Sequence, residues 1–100
     1  MSDMLTVRSQ VKAEHAAEVE AGVRRMFAAI EREQLTGIRY TSARLPDGVT
    51  YVAILEIQDG ADNPLPTLPE FGEFQAALKQ WAAGPPAPEP LTIIASYHSF

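Results

Sequence analysis

The sequence predicts an α+β domain in which one four-stranded antiparallel sheet carries two helices on a single face. Three observations predict it. Two segments repeat apolar residues at three- and four-residue steps, four others have strand character, and their order along the chain is β-α-β-β-α-β. That order is the split βαβ pattern of a ferredoxin-like fold.

The first strand is read from residues 4 to 12, MLTVRSQVK. Leu5, Val7 and Val11 alternate there with Thr6, Arg8, Gln10 and Lys12, and Ser9 is the one polar residue on the apolar side. From Ala13 to about Gln34 the period lengthens. Ala16, Val19, Val23, Met26, Phe27 and Ile30 form one stripe, and Gly37 is placed to close the helix. The runs GIRYTSARL and VTYVAILEI flank Pro46-Asp47-Gly48, a turn in which proline presets φ and glycine accepts a positive one, so the two read as a hairpin. Residues 58 to 70 are too rich in proline, glycine and asparagine for a regular element, and a loop of that length suggests a lid. Phe71, Phe74, Leu78 and Trp81 restore helical spacing, with Gly84 and prolines to stop it. PPAPEP then reads as a stiff connector into a final strand, LTIIASYHSF.

One hundred residues with 46% apolar content suffice for one domain, taken as 1–100. At that size association would help, because a chain so short leaves a large part of its apolar surface in water. The absence of cysteine excludes disulfides, thiolate metal sites and a cysteine nucleophile. A net charge of −5 leaves no electrostatic footprint for a phosphate backbone, so nucleic acid is not expected as a partner. With no apolar run near the ~20 residues that span a bilayer and no leader-like start, the expectation is a cytoplasmic protein without membrane contact.

Strand alternation separates the side chains further. If the aliphatic side faces the helices, Leu5, Val7, Ile38, Val49, Leu55, Leu91 and Ile93 point there, together with Ser9, Tyr40, Ser42, Tyr51 and Tyr97. All three tyrosines fall on one face, and Trp81, Phe74, Phe27 and Met26 approach it from the helices. Tyr40, Ser42, Tyr51, Trp81 and Tyr97 are therefore the candidates for a pocket suited to a small, flat, hydrophobic or aromatic molecule. Val52, Ile54, Ile94 and Phe100 take the opposite face, where a second copy of the chain is the economical cover. His98 shares that face and reads as an interface residue, and Arg39 also points that way.

The opening strand, the long first helix, the Gly37-Ile38-Arg39-Tyr40 strand, the Tyr51-to-Ile57 strand YVAILEI, the aromatic second helix and the terminal strand together resemble the dimeric α+β barrel superfamily. Within it they resemble the antibiotic-biosynthesis-monooxygenase-like proteins. The resemblance implies a homodimer in which two such sheets close into a barrel, a pocket between each sheet and its helices, and an activity like that of oxygenases that need no cofactor. In those reactions the deprotonated substrate itself gives electrons to dioxygen, and the protein supplies a base or oxyanion stabiliser and a dry pocket. Tyrosine hydroxyls, Ser42 or Arg39 are the groups this chain offers. A non-catalytic ligand-binding or assembly module, its pocket filled by its own side chains, is the alternative. Haem degraders of the family use a histidine with an asparagine and a tryptophan. This chain has Asn63 and Trp81 but no histidine between Glu56 and Pro90, which puts haem chemistry third.

No nucleotide-binding, zinc-protease or nucleophile-elbow signature is present. Glu14, His15 and Glu18 resemble a metal cluster by spacing, but acidic groups at a helix start already have a dipole explanation, so no metal is expected.

Overall fold

The computed structural model describes residues 3–95 and Tyr97. β1 (Asp3–Gln10) leads through a 3-10 turn to α1 (Ala16–Glu33). β2 (Ile38–Arg44) and β3 (Thr50–Ile57) form the hairpin, and a second 3-10 turn (Leu65–Thr67) precedes α2 (Pro69–Trp81) and β4 (Ala87–Leu91). The sheet order is β2-β3-β1-β4 with every neighbouring pair antiparallel, which is the ferredoxin-like arrangement. Among the described residues no helix is long and apolar enough to cross a membrane.

Local chemistry explains most element ends. At the hairpin, Asp47 Oδ1 accepts the amides of Val49 (2.9 Å) and Thr50 (2.8 Å), and its Oδ2 accepts the Thr50 hydroxyl at 2.6 Å. Gly48 supplies the positive φ of 78° the turn requires. α1 stops one turn earlier than its glycine suggests. Gln34, not Gly37, takes the left-handed cap at φ 49°, and its amide reaches the carbonyls of Glu31 and Ile30. Gly37 (φ 82°) instead turns the chain into β2, where its carbonyl accepts the Gln58 amide at 2.8 Å.

The last strand departs most from the sequence reading. The proline run is not a connector, because Ala87–Leu91 is itself β4, with Pro88 opposite Val7 and Pro90 opposite Leu5. A proline cannot donate to a ladder, so prolines are confined to edges. Here both have the same strand phase, which leaves Ala87, Glu89 and Leu91 as the residues with amides to give. Leu91 pairs with Met4 and so lies on the face away from the helices, not toward them as alternation through LTIIASYHSF implied. Residues 92–95 form no regular element, and Ile94 is 90% exposed.

Val19, Met26 and Ala29 of α1 are almost fully buried, as are Val11, Leu65 and Leu68. The two leucines pin the long loop under α2, so it is an anchored segment over most of its second half. The helices meet at Gly22, where a β-carbon would stand 3.0 Å from the Phe74 ring and 3.7 Å from Trp81. Ion pairs Arg25 to Glu73 (2.8 Å) and Arg32 to Glu70 (3.1 Å) flank this contact.

A larger side chain at Gly22 must push Phe74 aside, so Gly22→Leu is expected to destabilise the fold by roughly 1–3 kcal/mol in urea unfolding. The Asp47 turn makes a second prediction. Thr50 and the amides of Val49 and Thr50 hold the Asp47 carboxyl below its ordinary range, and Arg32 does the same for Glu70. A carboxylate with a depressed folded pKa stabilises above its unfolded pKa and loses that contribution as pH falls through the folded value. The urea midpoint is therefore expected to drop below roughly pH 4.5, and less steeply in Asp47→Asn, whose amide oxygen can still accept from the turn.

Candidate functional site

A cavity of about 190 Å³ lies between the sheet and the two helices. Strand register dictates its floor, since directly opposed residues share a face. Three rows cross the sheet: Leu5, Leu55 and Tyr40; then Val7, Ala53 and Ser42; then Ser9 and Tyr51, with Arg44 at the end of β2. The middle row is made of small side chains and the rows beside it carry tyrosines, so space is left where neighbouring rings cannot reach. α1 contributes Val19, Val23 and Met26 to the roof, α2 contributes Phe71, Phe74, Gln75 and Leu78, and the long loop closes one end with Asn63 and Leu65.

Tyr40, Ser42 and Tyr51 line this cavity. Tyr40 stacks on Phe27, ring centroids 5.0 Å apart and planes 8° off parallel, which fixes the plane of the phenol, and burial pushes its pKa up. Tyr51 is 8% exposed and donates its hydroxyl proton to Glu20 at 2.8 Å. Arg44 donates to the same Glu20 oxygen at 2.5 Å, so one carboxylate ties α1 to the ends of β2 and β3. The bond with Tyr51, followed by the one with Arg44, holds the Glu20 carboxyl below its ordinary range. Burial first, and Glu20 second, push the Tyr51 hydroxyl up.

Two other candidates are placed elsewhere. Trp81, the last residue of α2, does not line the cavity. It packs beside Val11, Val19 and Leu78, and its ring stacks on His15 at 6.3 Å. The helix end is held there because the Trp81 carbonyl accepts the Lys12 amide at 2.9 Å and Ala82 bridges Val11. Tyr97 is 88% exposed, beyond the end of β4, because the strand expected to carry it inward finishes at Leu91. His98 and Phe100 lie outside the described residues. His15 contacts Glu18 at 2.9 Å, and among the described residues no group of three His, Cys, Asp or Glu is placed to hold a metal ion.

Asn63 and Glu20 escape the periodicity argument. Asn63 Oδ1 accepts the Leu65 amide at 3.0 Å, the side-chain-to-backbone bond common to Asn turns, and this fixes its amide at the cavity end. The Asn63-Pro64-Leu65 run is a legible turn signal. Glu20 lies beside a second, open cleft of about 450 Å³ lined also by Val23, Arg24, Ser42, Ala43, Arg44 and Tyr51. A helical period marks only its i+4 neighbour Arg24, 3.7 Å away, since its hydrogen-bond partners come from strands 24 and 31 residues away.

No protein-family model matches this chain, and no curated protein matches it. Solved structures do. SnoaB, a cofactor-independent oxygenase from Streptomyces nogalater, superposes with a TM-score of 0.72 at 22% identity over 98% of each chain. A candidate antibiotic biosynthesis monooxygenase from Nitrosomonas europaea gives 0.78 at 12% identity, covering 93% of this chain and 90% of that one. Another from Caulobacter crescentus gives 0.75 at 23% identity, covering 94% and 91%. The chain has the antibiotic-biosynthesis-monooxygenase-like α+β fold.

Proposed function

We propose that this chain binds a small aromatic molecule in the cavity between sheet and helices and oxygenates it without a cofactor. The observation that carries the reading is the cavity itself, apolar in most of its wall yet lined also by Tyr40, Ser42, Tyr51 and Asn63. A filled interior would have favoured the non-catalytic alternative. At about 190 Å³ the space exceeds the roughly 150 Å³ apolar cavity that takes up benzene, so one or two fused rings are the size it suits. The fold shared with SnoaB supports the oxygenase part of the reading.

The chemistry follows from the substrate. A phenol that loses its O–H proton becomes electron-rich enough to reduce dioxygen. The carbon para to the oxygen then exchanges its C–H bond for C=O, one oxygen atom enters the quinone, and the other leaves as water with the phenol's O–H proton and the hydrogen of that C–H bond. Dioxygen takes four electrons and the phenol supplies four. The protein's part is to bind the ring out of water and to stabilise the developing phenolate, for which the Asn63 amide and the Tyr40 and Ser42 hydroxyls are the available donors.

Titration with one- and two-ring phenols, followed by dioxygen uptake, tests this. Saturable binding and quinone formation are expected, and both should be lost in Ala53→Leu, which fills the small middle row without adding a polar group to the core. Absence of binding by every such phenol would reject the reading. No Soret shift is expected on adding haem.

The homodimer belongs to the same proposal. Ile54 (41% exposed) and Leu91 (40%) lie on the sheet face away from the helices and support its burial by a second copy. Light scattering at micromolar concentration is expected to give twice the 10.9 kDa chain mass, and Ile54→Lys to shift it toward the single chain.

A further inference from the structure

The open cleft beside Glu20 shares Val23, Ser42 and Tyr51 with the cavity between sheet and helices, so these three side chains form the boundary between an apolar chamber and a polar one. The polar chamber has an unusual charge for this chain. Its lining carries two guanidiniums, Arg24 and Arg44, against one carboxylate, Glu20, in a protein whose net charge is −5. We infer that the cavity's ligand is an aromatic acid, its ring held in the apolar chamber and its carboxylate received in the cleft by Arg24 and Arg44. This rests on the aromatic-binding reading above and adds the substrate's second functional group.

Three features favour an anion over a neutral or cationic group. Glu20 Oε2 already accepts from both the Tyr51 hydroxyl and Arg44, at 2.8 and 2.5 Å, so that oxygen is committed within the protein. Arg24 stands 3.7 Å from Glu20, beyond hydrogen-bond distance, and its side chain, 77% exposed, brings a fork of donors to the cleft lining. A carboxylate is planar and matches that fork in two parallel hydrogen bonds, whereas an ammonium group would meet two positive charges. Ser42, on both walls, offers a hydroxyl where the ligand would pass from one chamber to the other.

The test compares naphthalene carboxylate with the isosteric neutral naphthalene carboxamide by calorimetric titration of the full chain at low salt. The carboxylate is expected to bind at least roughly five-fold more tightly, with the gap narrowing at high ionic strength, as an exposed charge pair requires. Arg24→Gln should bring the carboxylate's affinity toward that of the carboxamide, and the exposure of Arg24 makes this variant compatible with folding. Equal binding of the two probes by the natural sequence, or a preference that survives Arg24→Gln, overturns the acid-binding site while leaving the aromatic cavity standing. Failure of both probes to bind rejects the aromatic-binding reading and this inference with it.

Discussion

Cross-strand register governs nearly everything else in this fold. β3 lies between β1 and β2, and its pairing places Ala53 between Val7 and Ser42, with Tyr51 beside Ser9 and Leu55 between Leu5 and Tyr40. A slip of one residue would send all of these to the other face. In the observed register the small side chains fall into one row, and a void opens above it because α1 and α2 rest on the larger residues of the neighbouring rows. The same pairing puts Arg44 opposite Tyr51, which is why a residue at the end of β2 and a tyrosine of β3 can share Glu20.

The helices are held at the height the cavity needs by unlike means at its two ends. In the first half of α1, Gly22 lets the Phe74 ring approach the helix backbone and so brings α2 close to α1. At the other end the long loop carries Leu65 and Leu68 into the interior, and Asn63 caps the short turn between loop and helix. A segment whose composition suggests a lid thus carries two buried leucines in its second half. Asn63, its polar side chain on the cavity, is there because the turn requires an acceptor at that position.

Beside the cavity, charged groups gather where its wall meets the surface. Glu20, Arg24, Arg44 and the Tyr51 hydroxyl form one group at that boundary, and its members come from α1, β2 and β3. Each is ordinary along the chain: a helix glutamate, a helix arginine one turn later, a strand-end arginine and a strand tyrosine. Their meeting sets a polar cleft against the wall of the apolar cavity, with Val23, Ser42 and Tyr51 lining both.

Alternation along β1, β2 and β3 is legible in the sequence because each strand is half-buried and keeps a period of two, so Ser9, Tyr40, Ser42 and Tyr51 fall on one face by counting alone. The stripe of α1 and the Pro46-Asp47-Gly48 turn are legible for a related reason, that local chemistry and tertiary burial agree there. The final strand is not. Apolar content favours LTIIASYHSF, but the fold pairs Ala87–Leu91 with β1 because an edge strand needs amides at alternate positions only, and prolines in the other phase do no harm. That shift leaves Tyr97 exposed beyond the strand, and the clamp between Trp81 and Lys12 keeps Trp81 away from the cavity. Which side of three strands faces the helices is thus written in the residue order, since a pleat permits only two choices. The volume left between sheet and helices, and the meeting of Glu20 with Arg44 and Tyr51, come from packing alone, because both depend on contacts between residues far apart in the chain.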